Sequence, residues 1–74
     1  MNVFGERLRE LRRRAGLSQH ALAAASGLSR TSIARWELGW RYPAWDDVER
    51  LAKALGVCAG DFDGKLEKFG KSRK

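Results

Sequence analysis

Residues 16 to 37 read GLSQHALAAASGLSRTSIARWE, and how this stretch is parsed decides the fold. Gly16 breaks a preceding helical run and Leu17-Ser18 starts a new one; Gly27 stops that helix and Leu28-Ser29 starts another. The two starts are built alike. With Ser18 and Ser29 as N-caps, the apolar residues just before them, Leu17 and Leu28, can staple onto the fourth helical positions, Leu22 and Ile33. The stretch thus predicts two short helices, over residues 19–26 and 30–38, joined by a single glycine turn. Ala24 and Ala25 keep the first of them slim enough for close neighbours.

Upstream, Phe4, Leu8, Leu11 and Ala15 recur at helical spacing and predict an amphipathic helix over 4–15. Its other face is crowded with Glu6, Arg7, Arg9, Glu10, Arg12, Arg13 and Arg14, in which Glu10 and Arg14 have the attractive i,i+4 geometry. Downstream, GWRYPA at 39–44 is a loop, because Pro43 forbids helical continuation and pushes Tyr42 toward an extended conformation. The run WDDVERLAKALGV then aligns Trp45, Val48, Leu51, Ala52 and Leu55 on one stripe and closes at Gly56. Val57 and Phe62 repeat the staple across a half-buried cap at Cys58, which predicts a short fifth helix over 59–63. The expected fold is all-α: a compact five-helix bundle over residues 1–63, followed at 64–74 by a flexible basic tail, GKLEKFGKSRK, with only Leu66 and Phe69 as apolar anchors.

At 74 residues the chain has room for one small domain and none for a separate catalytic one. Its net charge is +6, but residues 65–74 alone hold five Lys/Arg against Glu67, which leaves +2 for residues 1–64. The basic excess is compatible with nucleic acid or an anionic surface and by itself separates neither from solubility. Cys58 and His20 are the only residues of their kinds, so neither an intramolecular disulfide nor a Cys/His metal site is expected, and no cofactor is implied. No apolar run approaches the roughly 20 residues that span a bilayer, and MNVFGERLRE lacks the apolar core of a signal peptide. A reducing, cytoplasmic setting is the expectation. Ser18 and His20 lack an acidic orienter, and no convergent pair of titratable groups suggests an enzyme.

One glycine between two capped and stapled helices is the sequence form of a helix-turn-helix. At about 100° per residue, Ile33 and Trp36 fall on the inner side of the third helix, while Arg30, Thr31, Ala34, Arg35 and Leu38 gather opposite. Such a face suits the major groove, about 12 Å wide, which admits a helix whose base-proximal side chains are small. Ala34 and Thr31 can touch a thymine methyl, and Arg30 and Arg35 can reach guanine O6/N7 or, in a shallower pose, a phosphate. The bland alternative is that both arginines are solvated surface charges.

The segments LRELRRRAGLSQHALAAASGLSRTSIARWELG, the Pro43 loop, LAKALGV and Asp61-Phe62 together resemble the DNA-binding domain of phage lambdoid repressors, Cro proteins and the related xenobiotic-response-element-type bacterial regulators. The resemblance runs from Phe4 to Phe62. It implies that Ser18 and Gln19 hold a DNA phosphate at the N-terminus of the second helix, and that Ser29, Arg30, Thr31, Ser32 and Arg35 supply base and phosphate contacts. It also implies an ion pair between Arg12 and Glu37 that ties the first helix to the end of the third. Leu38 and Trp40 depart from the family pattern, which favours polar or basic residues there; Arg41 still supplies one charge toward the DNA backbone.

The function expected is a sequence-specific double-stranded DNA-binding transcriptional regulator of the repressor/Cro type, placed on half-sites about 34 Å apart as a homodimer. A different class is also open: an antitoxin-like module that docks on a toxin-like protein partner and binds DNA secondarily. Leu38, Trp40 and Tyr42 form the candidate partner patch, with the alternative that Tyr42 and Trp45 pack the loop onto the core and Trp40 lies over it. His20 is read as solvent-facing, with a phosphate contact as the alternative, and the tail as solvated or as a source of salt-sensitive DNA affinity.

Overall fold

The computed structural model describes residues 3–62, and all regular structure among them is helical. Helix α1 spans Val3–Arg14, α2 Gln19–Ser26, α3 Arg30–Glu37 and α4 Trp45–Leu55, and a 3₁₀ turn follows at Ala59–Phe62. The tail expected at 64–74 lies outside the described residues.

The helix starts follow from the serines. Ala21 N–H donates to Ser18 Oγ at 2.9 Å, and Ser32 N–H donates to Ser29 Oγ at 3.0 Å, so each cap satisfies one of the amides a helix start leaves open. Leu17 and Leu28 are half-buried and pack against the core that holds Leu22 and Ile33. Between α2 and α3, Gly27 takes φ 77°, a left-handed conformation that a side chain disfavours, and its N–H closes the helix on Ala23 O at 2.9 Å. At the start of α4 the cap is reversed: Ala44 has no acceptor side chain, and the Asp47 carboxylate reaches back to its N–H at 3.3 Å.

Phe4, Leu8 and Leu11 of α1, Leu22 of α2, Ile33 and Trp36 of α3, the Val48, Leu51, Ala52 and Leu55 stripe of α4, and Phe62 form one buried core. Helix α1 packs on α3, α2 on both α3 and α4, and the 3₁₀ turn bridges α1 and α4. Each large side chain so buried stabilises by roughly 1.5–3 kcal/mol relative to exposure. The Phe4 ring lies 5.0 Å from that of Phe62 and 6.4 Å from that of Tyr42, which joins the two ends of the domain. Arg7 adds a polar clasp by donating from Nε to Asp61 O at 2.7 Å.

Three expectations are corrected. Where a fifth helix was expected over 59–63, the described residues Ala59–Phe62 form a 3₁₀ turn held by Phe62 in the core, with position 63 outside the described residues. Cys58 is exposed rather than half-buried; the local cap is Asp61, whose Oδ2 accepts from Cys58 N–H at 3.0 Å. Ala15 is exposed, since α1 ends at Arg14 and the chain turns away toward Leu17.

Candidate nucleic-acid interface

Helix α3 is anchored on one side only. Ile33 and Trp36 face the core, while Arg30, Thr31 and Arg35 are exposed and Ala34 lies half-buried among them, so the outer surface is flat at its middle and flanked by guanidinium groups. Leu38 continues that surface at 62% exposure. Ser29 and Ser32 close the N-terminal end, where the Ser29 hydroxyl donates to Ser32 Oγ at 2.9 Å while capping its amide. Across the turn, Ser18 accepts from Ala21 N–H and keeps its own hydroxyl proton for an outside acceptor.

What fixes α3 against the rest is a polar hub at its last residue. The Glu37 carboxylate accepts from Arg12 Nε at 2.6 Å on Oε2, and from Arg12 Nη2 at 3.1 Å and Gln19 Nε2 at 3.0 Å on Oε1. Arg12 also donates from Nη1 to Leu17 O at 2.8 Å. The side chains of Arg12 and Glu37 are 13% and 5% exposed, so the pair interacts in a low-dielectric setting with both charges hydrogen-bonded. One carboxylate thereby joins α1, the turn before α2, the first residue of α2 and the end of α3. Gln19 is turned by this bond, with one amide N–H on Glu37 and the second left for another acceptor.

Arg41 is exposed and shares a shallow concavity with Ser32, Arg35, Tyr42 and Asp47, beside the buried Pro43 of the loop. Trp40 and Tyr42 are 71% and 50% exposed, and Trp45 is half-buried against the core. The patch thus divides: Trp45 packs inward, the Tyr42 ring lies tilted beside that of Phe4, and Trp40 stands out. His20 is exposed at the start of α2.

Two arginines of the charged face of α1 also belong to this surface. Arg9 and Arg13 of α1 line a second concavity with Gln19, Ala34, Leu38 and the Arg12–Glu37 pair. Their i,i+4 spacing placed them on one face of α1, but only the packing of α1 on α3 turns that face toward Ala34. Nearby, hydrogen bonding from Arg7 and the charge of Arg14 hold the exposed Glu10 carboxyl below its ordinary range. Among the described residues no group of His, Cys, Asp and Glu is arranged to hold a metal ion, and no helix is long and apolar enough to cross a membrane.

Comparison with known proteins adds relatives to this geometry. A family model described as a helix-turn-helix domain matches residues 3–61. Control protein C.BamHI of Bacillus amyloliquefaciens is 39% identical over 56 residues, covering 74% of this chain and 69% of that protein. Against a longer transcriptional regulator of Escherichia coli the identity is 36%, and the chain spans 35% of its length. Among solved structures, the restriction-modification controller protein C.AhdI of Aeromonas hydrophila superposes with a TM-score of 0.80 at 41% identity, covering 82% of this chain and 92% of that one. The P22 c2 repressor, solved in complex with a synthetic operator, superposes with a TM-score of 0.75 at 30% identity, covering 84% and 96%.

Proposed function

The chain belongs to the helix-turn-helix domain family, and on that premise we propose that it is a double-stranded DNA-binding transcriptional regulator that reads the major groove with α3 and represses by occupying an operator. The observation that carries the reading is the outer surface of α3: Arg30, Thr31 and Arg35 exposed around a small Ala34, on a helix fixed by the Glu37 hub. The operator complex of the P22 c2 repressor, similar over 84% of this chain, supports the same use of the fold.

In this reading Arg30, Thr31, Ala34 and Arg35 meet base edges, while Ser18, Gln19, Ser29, Ser32 and Arg41 hold phosphates on either side of the groove. Gln19 does so through the amide N–H that Glu37 leaves open. Binding as a homodimer on two half-sites, and a cytoplasmic location, belong to the proposal; catalysis does not. Residues 65–74, with a net charge of +4, add salt-sensitive and sequence-independent affinity.

In vitro site selection with the full chain tests the core of the reading. The expected motif has two inverted half-sites with centres about 10 base pairs apart. Arg35→Ala is expected to relax preference at one position of each half-site, at a cost of about 1–3 kcal/mol, while Gln19→Ala weakens all duplexes alike. Recovery of no enriched motif, or variants indistinguishable from the parent, overturns the assignment of α3.

The exposure of Leu38, Trp40 and Tyr42 favours a second reading, the antitoxin-like module. In that case a toxin-like protein from the native host co-purifies through this patch, and Leu38→Ser with Trp40→Ser releases it.

A further inference from the structure

The five arginines of α1 divide into two groups by what they touch. Arg7 is committed to Glu10 at 2.8 Å and to Asp61 O at 2.7 Å, Arg12 to Glu37 and Leu17 O, and Arg14 to Glu10 at 2.7 Å. Arg9 and Arg13 are exposed and, among the described residues, form no ion pair. Glu6 lies one turn before Arg9 without reaching it within ion-pair distance, and Glu10 is occupied by Arg7 and Arg14. Two like charges at i and i+4 on one helix face repel each other, an arrangement that an anion between them relieves.

Position makes the pair more than a solvated edge. Both residues line the concavity of about 380 Å³ that Arg12, Gln19, Ala34, Glu37 and Leu38 also line, where the Glu37 carboxylate is already held by Arg12 and Gln19. The concavity therefore opens beside the C-terminal half of α3, on the side where α2 begins. At that end of α3, Leu38 and Trp40 contribute apolar surface where a DNA-binding helix needs cations near the backbone. Arg9 and Arg13 supply positive charge to the same end from α1.

We propose that Arg9 and Arg13 form a phosphate-binding pair that grips the backbone of the bound duplex, on the strand that Gln19 also holds. The inference rests on the proposed reading of α3 and assigns α1 a direct part in DNA binding. A pair of arginines presents forked donors matched to phosphate oxygens, and their contribution is independent of base sequence.

The test is equilibrium binding of the full chain to a random-sequence duplex and to the selected duplex, between about 50 and about 200 mM salt. Each phosphate neutralised contributes about 0.9 to the slope of log K against log salt, so Arg9→Gln with Arg13→Gln, which removes the pair that shares one phosphate, is expected to lower the slope by about 0.9 on both duplexes. The selected motif is expected to stay the same, and Arg9→Lys with Arg13→Lys to restore most of the slope. Arg50→Gln with Lys53→Gln removes the same charge from α4 and is expected to leave the slope near that of the parent. Equal slopes for the parent and the Arg9/Arg13 variant, or an equal loss in the α4 variant, overturn the proposal while leaving the reading of α3 intact. Failure of the parent chain to bind any duplex overturns that reading and this inference together. All four positions are exposed, so melting curves are expected to coincide with that of the parent, and the slopes compare folded proteins.

Discussion

Glu37 concentrates more of the architecture on one side chain than any other polar residue described. Its carboxylate is 5% exposed and accepts three hydrogen bonds from two other helices. A charge in that position is tolerated because Arg12 meets it through two nitrogens, and removing one partner strands the other in a poorly solvated site. Arg12→Ala is accordingly expected to destabilise the domain by about 3–5 kcal/mol, which thermal or urea unfolding measures directly. Replacing both, as Arg12→Met with Glu37→Leu, is expected to recover most of that loss, since an apolar pair avoids the buried charge altogether. Full stability of the single variant would show the pair to be energetically idle. The resemblance named Arg12 and Glu37, yet nothing in the spacing of positions 12, 19 and 37 brings Gln19 to the same carboxylate. That bond depends on the angle between α2 and α3, which exists only after the core has formed.

Between elements, the tightest approach is the crossing of α1 over the end of α3. Gly5 sits inside a helix, where glycine costs roughly 0.5–1 kcal/mol relative to alanine. The reason is steric: a β-carbon at this position would fall against the Trp36 carbonyl oxygen and 2.8 Å from that of Glu37. Gly5→Ala is thus expected to lower stability by about 1–3 kcal/mol despite its better helix propensity, because backbone atoms must move. Gly60→Ala, which meets open space, lacks that clash; if both variants melted alike, the close crossing would not matter. Helix boundaries were largely legible from short-range chemistry, since Ser18, Ser29 and Gly27 act within a few residues of themselves. Gly5 was not, because its constraint comes from residues 31 and 32 positions away. The 3₁₀ turn differs from the expected helix for a related reason: the staple from Val57 to Phe62 has the form of a helix start, but whether a start continues as α or 3₁₀ is set by how Phe62 seats in the core.

For the molecule as a whole, a single core of eleven side chains among the described residues holds four helices so that α3 lines one concavity with the α1 arginines and another with Arg41 and Tyr42 of the following loop. Its three tryptophans occupy three environments: Trp36 is in the core, Trp45 is half-buried, and Trp40 is 71% exposed in the loop after α3. The gradient gives the protein a built-in optical reporter. Iodide, an ion that stays in water, is expected to quench the fluorescence of Trp40 far more than that of Trp36, and Trp40→Phe to abolish most of the quenchable emission. Saturation with the selected duplex is expected to shield Trp40 from iodide if the loop approaches the backbone, whereas unchanged quenching would place it off the bound surface. Concentration-dependent shielding without DNA would instead report a second copy meeting the same indole, so that one side chain distinguishes in light what sedimentation and binding curves separate only in combination.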